Sequence, residues 1–287
     1  MSTTPESAGG MTDEVIPPAG AAVRATGGAA ASAGEPAAGT VELRVLSYNI
    51  RSMRDDTQAL FQVIRECDPD VVCIQEAPRF FRWRPKCAWL AHESGLVVLT
   101  GGRAAGAMLL LGSLRTKVVY AENRKLTKRP GLQQRGLAVA IIDIPGPGQT
   151  PLPTTARLCL ASIHLSLLTP ERREQVDEVL GHLDRVVSLP GVGTPHVIVA
   201  GDINERPTGE SWRALATRFR DAYLAAPWGG EFTSNAKHPY KRIDGIFVSD
   251  QIEVVRCGVP EHLPGLDVAS DHRPVLATVR VPAQQQA

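Results

Sequence analysis

No stretch of the 287 residues approaches the run of about eighteen apolar side chains that a membrane-crossing helix needs; the nearest is Ala104 to Leu111. No secretory signal is expected either, since the opening Met-Ser-Thr-Thr-Pro-Glu has no basic start and Arg24 and Glu35 interrupt the Ala-rich stretches that follow. A cytoplasmic location is therefore expected. The five cysteines, Cys67, Cys73, Cys87, Cys159 and Cys257, are odd in number and include no Cys-x-x-Cys pair. That excludes the usual disulfide frameworks and zinc knuckles and predicts free thiols, several on buried faces. Residues 1–40 have scarcely any large apolar side chain and read as a disordered leader before a domain at 41–282 and a short tail at 283–287. Acidic residues are scarce between Arg79 and Arg135, where twelve Lys/Arg face only Glu93 and Glu122. The whole chain is nearly neutral at +1, so this section is a local basic field suited to a phosphate-bearing partner, or simply a solvated face.

What is present is an ordinary globular composition, 43% hydrophobic and 21% charged, in a length that one large domain can use. Val41 to Tyr48 alternates as a strand, Thr57 to Cys67 is an amphipathic helix stopped by Pro69, and Asp70 to Glu76 is a buried strand that closes on the polar pair Gln75-Glu76. Arg79 to Lys86 and Arg124 to Arg135 read as basic loops, whose aromatics set among Arg can stack on bases or clamp phosphates, though Phe80, Phe81 and Trp83 are expected rather to pack onto the core. Leu137–Ile144 and Leu158–His164 pair across a Pro/Gly-rich connection at 145–153. A helix follows to about Val187, with Thr169 as its cap and Pro170 at its first position. Val197 to Ala200 is a buried strand, Trp212 to Phe219 a short helix, and Arg242–Val248, Ile252–Val259 and Val275–Val281 are strands.

Polar residues gather where these strands end: Asn49, Glu76, His164, Asp202 with Asn204, and Asp271-His272, with Asp244 inside a further strand. Asp202-Ile-Asn204 alone is equally an Asx turn or half of a site. Each of the others has its own bland reading as a cap or a satisfied polar group. Their recurrence at the ends of successive strands is the layout of an α/β active site.

The ordered segments Ser-Tyr-Asn-Ile-Arg51, Val-Cys-Ile-Gln-Glu76, Ser-Ile-His-Leu165, Ala-Gly-Asp-Ile-Asn204, Arg-Ile-Asp-Gly-Ile246 and Ser-Asp-His-Arg-Pro-Val275 resemble the endonuclease/exonuclease/phosphatase superfamily. The resemblance implies an α/β (α+β) fold, a four-layer α/β/β/α sandwich of two mixed sheets packed face to face with helices outside. It also implies a phosphodiester hydrolase, nuclease-like, with Mg²⁺ as cofactor and Mn²⁺ able to substitute. Glu76 with Asn49, and Asp271 as a further ligand, would hold the metal. His272 would be the general base, oriented by Asp244, while Asp202 would hold or activate the water. His164 and Asn204 would donate to the phosphoryl oxygens, and Arg51 would reach a phosphate.

Tyr120 is the one candidate for the phosphate-contacting tyrosine of several family nucleases. The implied partners are phosphodiester or phosphomonoester substrates, nucleic acid among them. A phospholipid, inositol phosphate or other small phosphoester is the alternative substrate, and a non-catalytic binding module the remaining one.

Overall fold

The computed structural model describes residues 39–146 and 154–285. The expected leader lies outside the described residues up to position 38, as does the 145–153 connection from position 147. Thr40 already belongs to the first strand, and Gln284–Gln285, expected in the tail, form the last.

In chain order the elements are β1 (Thr40–Asn49), α1 (Thr57–Cys67), β2 (Val71–Gln75), α2 (Trp83–Glu93), β3 (Val97–Gly102), β4 (Met108–Gly112), β5 (Lys117–Lys125) and β6 (Gly136–Pro145). They continue with β7 (Thr154–His164), α3 (Thr169–Val187), β8 (His196–Asp202), α4 (Glu210–Arg218), β9 (Arg220–Asp221) and α5 (Ala222–Ala225). Last come β10 (Asp244–Val248), β11 (Glu253–Gly258), β12 (Val275–Pro282) and β13 (Gln284–Gln285). One mixed sheet has the order β11-β12-β1-β2-β4-β3, the other β5-β6-β7-β8-β10-β9 with β13 beside β7.

Strand alternation builds the layers. Val41, Leu43 and Val45 of β1 meet Leu158, Leu160, Ile198 and Ala200 of β7 and β8 in a core between the sheets. The opposite faces pack outward, Leu46, Val72 and Ile74 under α1 and α2, and Ile163, Val199 and Phe247 under α3 and α4. This is the α/β/β/α sandwich anticipated from the family resemblance.

The alternation also places the polar strand ends. Asn49, Gln75, Ser162, His164, Asp202 and Asp244 have the parity of the inner face, so the apolar core between the sheets gives way to a polar cluster at one rim. Gln75 Nε2 ties the sheets together there, donating to Ser162 Oγ at 3.2 Å and to Cys73 O at 2.9 Å. Gly201 lets the rim close, because a Cβ on it would stand 1.9 Å from Ile163 O on the neighbouring strand.

Several local expectations are corrected. The basic loop at 79–86 becomes α2 from Trp83 onward, a helix with little amphipathic pattern to announce it. Phe80 and Phe81 do not pack onto the core; they are 69% and 86% exposed. Leu168, not Thr169, is the N-cap residue of α3, and Thr169 Oγ1 accepts from Arg172 instead. All five cysteines are free and buried, as composition predicted.

Candidate active site

Register brings the strand ends together. Asn49 is level with Gln75 across the parallel β1–β2 pair, and His164 is level with Asp202 across β7–β8. Asp244 opens β10 directly opposite Asp202, and Val275, three residues after His272, pairs with Ser47 of β1. Asp244 is thus the start of an antiparallel strand at the rim, rather than inside a strand beginning at Arg242.

Asp202 is the hub of the buried half. Its Oδ1 accepts from the Asn204 backbone N–H at 2.9 Å, and its Oδ2 accepts from Asn49 Nδ2 at 3.0 Å. The same Oδ2 lies 3.3 Å from His164 Nε2 and 3.8 Å from His272 Nε2. The Asx turn and the site are therefore one structure, with one carboxylate oxygen making the turn and the other facing the cluster. Asn204 converges on it through a left-handed backbone at φ 54°, not through strand alternation.

Burial, then the facing Asp244 carboxylate, pushes the Asp202 carboxyl up to about 7. Burial opposes charge on His272, yet Asp244 and then Asp202 outweigh it and push the ring up to about 10. Its Nδ1 sits 2.8 Å from Asp244 Oδ2. The other Asp244 oxygen is buried with no hydrogen-bond partner among the described residues.

His164 is fully enclosed, and burial, followed by the nearby Arg135 charge, holds its pKa well below the usual value. A neutral ring has one N–H to give. Arg135 donates to Nδ1 at 3.0 Å, which leaves the proton on Nε2, directed at Asp202. Asn204 Nδ2, also 3.0 Å from Nε2, gives one of its two N–H groups to Leu165 O at 2.9 Å.

Glu76 belongs to a more open half. It follows β2 at φ 53°, its side chain is 35% exposed, and its carboxylate stands 4.0 Å from His164 Nδ1, beyond hydrogen-bond range. It lines a recess with Ser52, Arg54, Arg79, Arg135 and His164. Asp271 does not join it. That side chain is half exposed, turned to Arg51 Nε at 3.4 Å, and walls a separate depression. Arg51 is also held by Asp55 at 3.1 Å. Among the described residues, the acidic and histidine groups close enough to share an ion are Asp202, Asp244 and His272, whose ligand atoms lie within 4.8 Å of one another. Asn49 Oδ1 accepts from the Arg51 backbone N–H at 3.1 Å, and the open Glu76 carboxylate is an oxygen donor of the kind a hard divalent cation takes. Tyr120 lines neither depression, since its hydroxyl donates to Glu122.

Residues 46–272, most of the chain, match the Endonuclease/Exonuclease/phosphatase family. The chain belongs to that family. Its members act on phosphoesters as hydrolases, and this family member is an enzyme of that class. Among curated proteins no sequence match is found.

Solved structures show the same fold at low identity. An endonuclease/exonuclease/phosphatase from Bacteroides vulgatus is 19% identical, with TM-score 0.67 over 84% of this chain and 99% of that one. The mannosyl-6-phosphatase of Bacteroides thetaiotaomicron is 18% identical, with TM-score 0.66 over 83% and 99%. The human Nocturnin catalytic domain, solved with bound sulfate, is 18% identical, with TM-score 0.61 over 85% and 95%.

Sequence reasoning about this family member missed four positioning residues. Arg135 holds His164, Ser270 Oγ donates to Asn49 O at 2.7 Å, and Thr233 Oγ1 accepts from Asp244 N at 3.3 Å. Glu205 accepts from Ser211 N and Trp212 N at the start of α4 and pairs with Arg172 at 2.9 Å, which fixes the chain beyond Asn204. None has a local pattern; the one signal was Ser270, adjacent to the Asp271-His272 pair.

Proposed function

We propose that the enzyme hydrolyses phosphodiester bonds with a Mg²⁺ ion, with Mn²⁺ as a substitute, residues 41–282 forming the catalytic domain. The observation that carries this is the convergence of Asn49, His164, Asp202, Asp244 and His272 on one rim, beside the accessible Glu76. Glu76 and Asn49 would hold the cation, whereas Asp271, turned to Arg51 in a separate depression, is left out of this set. The oxygen-only character of the set and the open Glu76 carboxylate fit a hard cation that keeps several waters. When bound, the ion supplies charge neutralisation for the phosphoryl oxygens.

The chain's own residues do the rest. Asp202 Oδ2 and His272 Nε2, 3.8 Å apart, bracket the place of an attacking water. In its neutral form the ring would act as general base, Nε2 taking the water proton while Nδ1–H stays on Asp244, and the imidazolium so formed is the state that the two carboxylates stabilise. A doubly protonated ring, which the two carboxylates favour, places positive charge beside the phosphoryl group. The second N–H of Asn204 Nδ2, with His164 Nε2–H turned from Asp202, would stabilise the scissile phosphoryl oxygens as charge builds, and Arg51, already paired with Asp55 and Asp271, would reach the scissile phosphate alone. Five buried free thiols fit a reducing compartment such as the cytoplasm.

The test is hydrolysis of bis(p-nitrophenyl) phosphate, single-stranded DNA, sphingomyelin and a phosphoinositide, with and without Mg²⁺. Cation-dependent cleavage of the first two is expected. Cleavage of the lipids alone would move the assignment to the phospholipase C-type alternative.

A further inference from the structure

The recess at Glu76 opens into a groove that shares Arg79, Phe80, Gly106 and Gln133 with it and continues past Arg103, Lys125 and Lys128. None of Arg54, Arg79, Arg103, Lys125 and Lys128 makes an ion pair among the described residues. Arginines elsewhere on the surface commonly do, as Arg173 with Glu210 and Arg218 with Asp184 show. Cations left uncompensated in one concavity are a standing attraction for a polyanion. The other end of the site is different. Beyond His272, the depression at Asp271 is walled by Asp55, Asp56, Asp267 and Asp271 against Arg51 and Lys237. The depression beside His272 therefore carries the opposite sign to the groove that opens from the Glu76 recess. A phosphate beyond the scissile one gains attraction on the Arg79 side and meets repulsion on the Asp271 side.

We propose that the substrate is a single-stranded nucleic acid engaged at its end, its phosphates continuing from the scissile one only along the Arg79–Lys128 groove. The enzyme is then end-directed and does not cut within a continuous strand. Nucleic acid is preferred over a lipid surface because Phe80, 69% exposed where recess meets groove, offers a ring face for a base, with the Arg79 guanidinium 5.2 Å from its centroid. This inference rests on the phosphodiesterase reading of the site.

The experiment gives the full chain and Mg²⁺ three substrates: a linear single strand of about 12 nucleotides, a covalently closed circle of the same composition, and bis(p-nitrophenyl) phosphate. Stepwise shortening of the linear strand from one end, with the circle resistant, is expected. Equal cleavage of circle and linear strand overturns the end-directed proposal while leaving the phosphodiesterase reading intact. No hydrolysis of any of the three overturns both.

Binding is read separately by fluorescence anisotropy of the linear strand. Lys125→Glu combined with Lys128→Glu should weaken it by roughly tenfold or more and flatten its salt dependence. Unchanged affinity removes the groove from the proposal. So does tighter association with phosphatidylserine vesicles than with the oligonucleotide, which transfers the basic face to a membrane.

Discussion

The two sheets bring unlike halves to one site. β1 and β2 of the first end in Asn49 and the partly open Glu76, while β7, β8 and β10 of the second deliver His164, Asp202 and Asp244, all at 2% exposure or less. A carboxylate such as Glu76, open to a recess, without a side-chain hydrogen bond among the described residues and 4.0 Å from its nearest histidine nitrogen, would under the proposed function exchange water for a cation. Asp202, ringed by Asn49, His164, Asn204 and His272, is placed to orient groups and share their protons. Exposure, more than residue type, divides the work between two acids of the same chemistry.

The largest effect should come from breaking the buried half. His272→Ala is expected to lower kcat by about 10²–10⁴-fold with an unchanged circular dichroism spectrum. Activity within a few-fold of wild type would remove His272 from the proton transfer. Asp244→Asn should follow it at a smaller loss, because Nδ1 keeps a partner and the ring loses one of the two carboxylates that hold its charge.

Breaking the open half should show first in cation linkage. At a Mg²⁺ concentration of about 100 times Kd, binding to the folded chain adds about 2.7 kcal/mol, read as a rise in Tm. Glu76→Gln should abolish that rise, while Asp202→Asn should retain most of it. The reverse pattern would put the ion in the compact Asp202–Asp244–His272 group instead. A third substitution tests the join between halves: Gly201→Ala drives a Cβ to 1.9 Å from Ile163 O, so strand β8 must shift. A loss of about 1–3 kcal/mol, typical of overpacking, is expected in urea unfolding, with activity falling alongside stability.

Much of this was legible because strands carry their message in period two. The polar residues sit where apolar alternation stops, so β1, β2, β7 and β8 and their terminal Asn49, Glu76, His164 and Asp202 could be placed from the chain alone. Three things were not legible, for physical reasons. The left-handed turns at Glu76 and Asn204 decide where those side chains aim, and neither residue type marks one reliably. The charge state of His272 depends on Asp244 and Asp202, far away in sequence, so the neutral imidazole that suits a general base is not the form this cluster favours. Phe80 and Phe81 look like packing residues by composition, and only the fold shows that α2 starts beyond them and leaves both outside.

The smallest expected effect sharpens the comparison through pH. His164 lies fully within the buried half, and burial, then Arg135, keep its folded pKa well below the usual value. An unfolded chain binds this proton below about pH 6.5, whereas the folded one stays neutral. At this group the unfolded state therefore binds one proton more in that window, so the His164 contribution to stability falls as pH drops from about 6.5 toward the depressed folded value, while the raised Asp202 carboxyl, protonated first in the folded state, contributes with the opposite sign to wild type and variant alike. One such group contributes a slope of about 1.4 kcal/mol per pH unit and nothing above the window. His164→Gln keeps an acceptor for Arg135 and removes the titration. Urea unfolding at pH 7.5 and in steps down to pH 5 should show the wild type losing stability faster than the variant by that slope. Parallel curves would mean that His164 gains its proton in the folded state too, and that the buried half is wetter than Asp202 and its ring of partners imply.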